Sequence, residues 1–117
     1  MATPVPELLF SEEKLLKRLV GQVEALSISE KVLLTWLLEH DGQEVTSKQL
    51  ADGVGMDVRV TWSAQTRKLV KFPFVARWGA NKYWYQSLWD EFARKNFASV
   101  PGVQDIARRR LIEAAQS

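Results

Sequence analysis

The sequence predicts a mainly helical, α+β fold built around one core. Over most of the chain the apolar residues recur three or four positions apart, which is the spacing of amphipathic helices. Two short segments, 74–78 and 82–86, are instead rich in β-forming residues, and the three residues between them suit a hairpin loop. A chain of 117 residues, 46% apolar and 26% charged, has the composition of a single globular domain.

The composition also excludes several classes of function. The chain has no cysteine, which rules out disulfides and thiolate metal sites and favours a reducing, cytoplasmic location. No apolar run approaches the ~20 residues of a membrane-spanning helix, and no signal peptide is evident. The only histidine, His40, follows a predicted helix, where a contact with the helix dipole is expected rather than acid–base work. We therefore expect no catalysis, no cofactor, no metal and no membrane partner.

The chain begins with a predicted arm and one amphipathic helix. Residues 1–10 contain two prolines and no apolar periodicity, so we expect a flexible arm. A helix over residues 11–26, capped by Ser11, is predicted next. Its apolar stripe consists of Leu15, Leu16, Leu19, Val20, Val23 and Leu26.

A second helix is predicted to lie at the centre of the core. Ser27 and Glu30 match a capping box, in which each side chain satisfies a backbone N–H of the other residue. The segment that follows is apolar on most of its circumference, and we expect Trp36 to be buried with it. Gly42 supplies the helix stop.

A short helix and a glycine turn come next. Val45 suits a short strand, and Thr46 with Gln49 forms a second capping box that opens a brief helix. Gly53 and Gly55 then predict a turn, because glycine adopts backbone angles that other residues avoid.

The cationic segment 57–72 admits two interpretations. With Asp57 as cap, Val58, Trp62 and Leu69 fall on one face of a helix. A strand is the alternative, because every second residue from 58 to 64 is apolar or small. The helix is favoured, since the segment runs without a breaker as far as Pro73.

Two further helices are predicted after the hairpin. Ser87 and Asp90 match a third capping box, and Pro101 interrupts the apolar stripe that follows it. In the last helix the arginines 108–110 are expected to be solvated or ion-paired, with auxiliary phosphate contact as the alternative.

Positive charge is concentrated in one part of the chain. The net charge is +2, but segment 57–86 holds six basic residues against one acid, or +5, which leaves −3 for the remainder. This segment is the electrostatically distinct part of the molecule. A solvated cationic face balanced by neighbouring acids is the alternative interpretation.

The order of these elements resembles the winged helix-turn-helix superfamily. The resemblance covers residues 29–86 and is carried by Leu50 and Ala51 on the short helix, by Gly55 at the turn, by the apolar face of segment 57–72 and by the hairpin. It implies a winged helix-turn-helix core over 29–86 with a two-stranded hairpin wing. Extra N-terminal and C-terminal helices over 11–26 and 87–115 complete one domain over 11–117.

One position departs from the family pattern. Members usually carry an aliphatic residue six positions after the glycine, and Thr61 stands there with Trp62 beside it. Either the turn is one residue longer or Trp62 fills the place.

The resemblance implies a sequence-specific double-stranded DNA-binding protein, either a small transcription regulator or an accessory DNA-binding factor. Its second helix would enter the major groove and its wing would contact the backbone. The implied DNA-binding residues are Arg59, Ser63, Thr66, Arg67 and Lys71 on the helix, and Arg77, Asn81 and Lys82 on the wing. The helices flanking the core are expected to leave apolar faces that support a homodimer.

Two other functions remain open at this level. Winged helices also serve as protein–protein interaction modules in larger complexes, and the Trp- and Tyr-rich hairpin suits such a contact. Trp78 and Trp84 are expected in the core or a partner interface, with stacking on bases as the alternative. Binding of RNA or single strands through exposed rings is the third interpretation.

Overall fold

The computed structural model describes residues 8–56, 68–79, 84–97 and 102–116, and it is mainly helical with a small antiparallel sheet. This confirms the predicted α+β class. The elements in chain order are α1 (Phe10–Glu24), α2 (Ile28–Glu39), β1 (Val45–Thr46), α3 (Ser47–Val54), β2 (Val75–Trp78), β3 (Trp84–Ser87), α4 (Trp89–Asn96) and α5 (Val103–Gln116). Lys68 and Leu69 are also helical. No helix of the described residues is both long and apolar enough to cross a membrane.

The first helix begins earlier than predicted. Its N-cap is Leu9, whose backbone N–H donates to the Glu12 carboxylate at 2.8 Å, so Ser11 lies inside the first turn and is not the cap. Leu8 is half-buried against the core. The predicted arm over residues 1–10 therefore extends too far along the chain, since residues 8–10 belong to the folded part. Residues 1–7 lie outside the described residues.

The second helix occupies the centre of the core, as predicted. The Ser27 N–H donates to the Glu30 carboxylate at 2.9 Å, and the Glu30 N–H donates to the Ser27 hydroxyl at 3.3 Å, which confirms the capping box. Four leucines of this helix have no exposed surface, because α3 and α5 pack against it. They are Leu33, Leu34, Leu37 and Leu38.

Three short strands form a sheet in the order β1-β3-β2, with antiparallel neighbours. Val45 lies opposite Tyr85, and both side chains are 2% exposed. Side chains alternate between the faces of a strand, so Trp84 lies on the other face, opposite Trp78. The hairpin is confirmed at the predicted place, and the two strands are Val75–Trp78 and Trp84–Ser87.

The third predicted capping box is wrong. The N-cap of α4 is Leu88, and its side chain makes no capping hydrogen bond. The Ser87 hydroxyl donates instead to the Asp41 carboxylate at 2.6 Å, and that carboxylate also accepts the backbone N–H groups of Trp89 and Asp90 at 2.9 and 3.1 Å. A residue from the loop after α2 therefore caps α4.

The first and last helices belong to the same buried cluster as the rest of the fold. Leu16 and Val23 of α1, with Leu111 of α5, have no exposed surface, and the two helices pack on each other. Arg110 joins them through an ion pair of 3.1 Å with Glu13. Part of the apolar faces expected to support a homodimer is thus covered within the chain, whereas Phe10 at the start of α1 is 81% exposed. A dimer through these helices stays a prediction.

Candidate nucleic-acid interface

The turn after α3 has the geometry that its glycine predicted. Gly55 lies in the left-handed region at φ +72° and ψ 30°, and the Met56 N–H donates to the Ala51 carbonyl at 2.9 Å. This pattern ends a helix sharply and redirects the chain. Leu50 and Ala51, at 0% and 1% exposed, hold α3 against α2. The direction in which the chain leaves α3 is therefore fixed as far as Met56.

The capping box at the start of α3 is also confirmed. The Thr46 N–H donates to the Gln49 side chain at 2.9 Å, and the Gln49 N–H donates to the Thr46 hydroxyl at 3.2 Å. Thr46 also pairs with Trp84 in the sheet. One residue thus ends β1 and begins α3, which ties the short helix to the hairpin.

Most of the predicted DNA-binding residues lie outside the described residues. These are Arg59, Ser63, Thr66, Arg67, Asn81 and Lys82. Val58 and Trp62, which the helical interpretation turns inward, also lie there. Leu69 lies at the described end of the segment, where it is helical and has no exposed surface. Its burial agrees with the inward face predicted for it.

Lys71 is exposed and lies at the edge of a shallow groove. The groove has a volume of about 250 Å³ and is lined by Gln22, Ala25, Leu26, Lys68, Lys71 and Phe72. Lys71 makes no ion pair with any described carboxylate, whereas the Lys68 ammonium lies 3.8 Å from the Glu30 carboxylate. Lys71 therefore presents its charge to solvent.

Arg77 is exposed on β2, directly opposite Tyr85 of β3. Opposite residues of an antiparallel pair share a face, so Arg77 extends from the edge of the face that buries Tyr85. The next residue, Trp78, extends from the other face. Arg77 and Trp78 therefore lie on opposite faces of the hairpin.

Two tryptophans form a stacked pair on the outer face of the hairpin. The rings of Trp78 and Trp84 lie 5.5 Å apart between centroids, with an angle of 9° between their planes. Trp78 is 42% exposed and Trp84 is half-buried. Trp78 does not lie in the core of the chain, because the core side of the hairpin is filled by Tyr85. The partner interface and the stacking on bases stay predictions for the two rings.

The C-terminal cations are neutralised locally. Arg108 and Arg109 both contact the Asp105 carboxylate, at 3.0 and 2.8 Å, and Arg110 contacts Glu13. In α4, Arg94 pairs with Asp90 and Lys95 with Glu91 at helical spacing. The predicted ion pairing of the terminal arginines is confirmed. Positive charge outside the cationic segment is therefore partly compensated.

One surface was missed by the sequence reasoning. A groove of about 650 Å³ runs along α2 between the ends of α3 and α5. Ile28, at 83% exposed, and the half-buried Trp36 line it, so the prediction that Trp36 belongs to the core is wrong in part. Because α2 is apolar on most of its circumference, its sequence does not reveal which side faces solvent.

His40 ends α2 as predicted and also supports Trp36. Its Nδ1 lies 2.8 Å from the Trp36 carbonyl oxygen, and the two rings stack 4.0 Å apart. Within the described ranges no group of three His, Cys, Asp or Glu side chains could hold a metal ion. The contacts of His40 with Trp36 indicate a structural role for this histidine.

Neither the models of known protein families, nor the curated proteins, nor the solved structures compared with this chain provide a match.

Proposed function

We propose that this chain is a sequence-specific double-stranded DNA-binding protein with a winged-helix core over residues 29–86, acting as a small transcription regulator or an accessory DNA-binding factor. The observation that carries the proposal is the left-handed Gly55 turn, which joins α3, packed on α2, to the segment of highest positive charge. In a helix-turn-helix unit, this junction aims the second helix at the major groove.

The sheet supports the same arrangement. The strand between α2 and α3 pairs with β3, and the β2–β3 hairpin follows the cationic segment. A wing requires a hairpin in this place, anchored on the core and free at its tip. The burial of Tyr85 and Val75, at 2% and 7% exposed, provides the anchor.

Charge and hydrogen-bonding chemistry support the roles of the individual residues. Arg59 and Arg67 carry the planar fork that reads guanine or clamps phosphate. Ser63, Thr66 and Lys71 would complete the helix surface, and Lys71 is exposed without a described acidic partner. On the wing, Arg77, Asn81 and Lys82 would contact the DNA backbone.

The test is a selection of duplexes from a random pool, followed by fluorescence anisotropy with the selected site. The variant Arg59→Ala/Arg67→Ala is compared with Arg94→Ala/Arg109→Ala, which removes the same charge from exposed residues paired with Asp90 and Asp105. We expect the first variant to lose on the order of 1–3 kcal/mol of binding free energy per arginine and the second to bind normally. Equal affinities, or no selected site, would overturn the proposal.

The second candidate is a protein-interaction module, and the stacked tryptophan pair favours it. Exposed aromatic side chains are enriched in the centres of protein interfaces. On this alternative the chain would not be retained on DNA or heparin at moderate salt, and capture of a defined protein would be lost in Trp78→Ala. Quenching of tryptophan emission by single strands but not by duplex would instead favour the single-strand interpretation.

A further inference from the structure

The helix α2 carries a second apolar face that the core does not cover. Ile28 is 83% exposed and Val32 is 39% exposed, although both lie on the helix that buries four leucines. Trp36 continues the row and is half-buried. Their spacing of four residues places all three along one side of the helix.

Polar residues complete this side of the helix. Lys31, Thr35 and Glu39 line the same groove of about 650 Å³ as the three apolar residues. We call the six residues Ile28, Lys31, Val32, Thr35, Trp36 and Glu39 the α2 stripe. They lie at positions i, i+3, i+4, i+7, i+8 and i+11, which places them along one side of the helix, as in helices that pack on one another.

The Trp36 ring gives the α2 stripe a rigid wall. The His40 ring stacks on it at 4.0 Å between centroids. On the α3 side, a Cβ atom added to Gly53 would lie 2.8 Å from the Trp36 ring nitrogen, so the backbone of α3 lies directly against the ring. A docking helix would meet a ring that is already fixed.

We propose that the α2 stripe packs against the same stripe of a second copy, with the two helices antiparallel. The two-fold axis crosses the stripe at the height midway between residues 33 and 34. In this register Ile28 lies opposite the stem of the other copy's Glu39, and Val32 lies opposite the small Thr35. Lys31 lies opposite Trp36, where a cation and an indole ring attract each other. A two-fold interface uses one patch twice, and this patch complements itself.

The charges of the α2 stripe identify a second copy as the occupant. Lys31 and Glu39 have opposite signs and lie about 12 Å apart along the axis. Neither makes an ion pair with a described residue, whereas several other charged side chains of the described helices do. Antiparallel pairing brings each Lys31 within reach of the other copy's Glu39, on the turn next to Trp36.

This dimer does not depend on the proposed DNA binding, because the α2 stripe contains none of the proposed DNA-binding residues. A contact through one helix face falls near or below the ~1,200 Å² at which specific interfaces begin. We therefore expect association in the micromolar range rather than the nanomolar range.

Sedimentation equilibrium of the full chain without DNA, from about 1 μM to about 1 mM, tests the association. The variant Ile28→Glu is compared with Phe10→Glu. Both residues are the first of their helices and are nearly equally exposed, at 83% and 81%, so both variants should fold equally well. We expect Ile28→Glu to raise the dissociation constant at least about tenfold and Phe10→Glu to leave it unchanged.

Charge reversal tests the antiparallel register. Lys31→Glu and Glu39→Lys should each weaken self-association, because each brings like charges within reach of one another across the interface. Mixing the two variants, or combining both changes in one chain, should restore it. A chain that stays monomeric at every concentration, or a mixture that associates no better than either single variant, would overturn the proposal. A foreign helix as occupant predicts both of those results.

Discussion

The carboxylate of Asp41 accepts a hydrogen bond of 2.6 Å from the hydroxyl of Ser87, 46 positions later in the chain. Ser87 has no exposed surface, and its carbonyl accepts the Gly42 N–H at 2.8 Å. The same carboxylate accepts the first backbone N–H groups of α4. Asp41 therefore fastens the loop after α2 to the junction between the hairpin and α4.

We predict that Asp41→Ala lowers the free energy of unfolding by about 2–4 kcal/mol, because it removes a helix cap and strands the buried Ser87 hydroxyl. Ser87→Ala should cost about 1 kcal/mol, since it removes the hydroxyl together with its bond. Urea denaturation measures both. The control is Asp105→Ala at an exposed position of α5, which should cost less than about 1 kcal/mol. An Asp41→Ala variant as stable as the control would contradict the capping role.

Local sequence patterns predicted most helices and strands correctly. The predictions failed where a residue contacts a partner that is distant in the sequence. The boxes at Ser27 and Thr46 are correct because every partner lies within three residues. The pattern at Ser87 looks the same, but its hydroxyl is engaged by Asp41, which no local pattern reveals. Gly55 was predictable because its left-handed φ of +72° is required by the turn itself and needs no remote partner.

The surfaces were harder to predict than the elements. Alternation along β3 places Tyr85 on the buried face and Trp84 on the other face. It did not predict that Trp78 and Trp84 stack, because that depends on the register of the hairpin. On α2, apolar residues occupy both the core side and the solvent side. The packing of α3 and α5 decides between them, and the sequence of α2 does not encode it.

The Trp36–Gly53 contact predicts opposite effects for two glycine substitutions. Gly53→Ala should lower the free energy of unfolding by about 1–3 kcal/mol, because its Cβ would lie 2.8 Å from a ring that His40 holds in place. At Gly21, near the end of α1, a new Cβ would have no neighbouring atom within 4 Å, so Gly21→Ala should raise the free energy of unfolding by about 0.5–1 kcal/mol. Thermal and urea unfolding test both signs. Two changes of the same sign would refute the close contact.

The burial of α5 predicts that it is an integral part of the core. Leu111→Ala should cost about 2–5 kcal/mol, since the residue has no exposed surface and its removal leaves a cavity. Glu113→Ala, on the exposed side of the same helix, should stay within about 0.5 kcal/mol of the parent. The measurement is again urea unfolding. If Leu111→Ala behaved like Glu113→Ala, α5 would be a dispensable appendage.

The proposed function predicts that DNA affinity falls with added salt, and that each cation in contact with a phosphate contributes to the slope. Lys71→Ala should reduce the slope of log affinity against log salt by about 0.9, because one fewer phosphate is neutralised. Lys95→Ala removes another exposed charge, which pairs with Glu91, and should leave the slope unchanged. Anisotropy titrations of the selected duplex at several salt concentrations provide both slopes. Identical slopes for the two variants would remove Lys71 from the interface.

The stacked tryptophans separate the two candidate functions. Trp78→Ala removes a ring that is 42% exposed and leaves Arg77 and the core side of the hairpin in place. We expect it to cost about 1 kcal/mol of stability, as cross-strand aromatic pairs contribute that much or less beyond burial. If the hairpin is a DNA wing, duplex affinity and base preference should change little, because Arg77 extends from the other face and is kept. If the hairpin is a protein interface, the parent chain itself does not bind the duplex. Capture of the partner should then be lost in Trp78→Ala and kept in Phe10→Ala, which removes a ring that is 81% exposed on α1. Anisotropy on the selected duplex and affinity capture, run on the same three proteins, therefore assign the hairpin to one partner or the other.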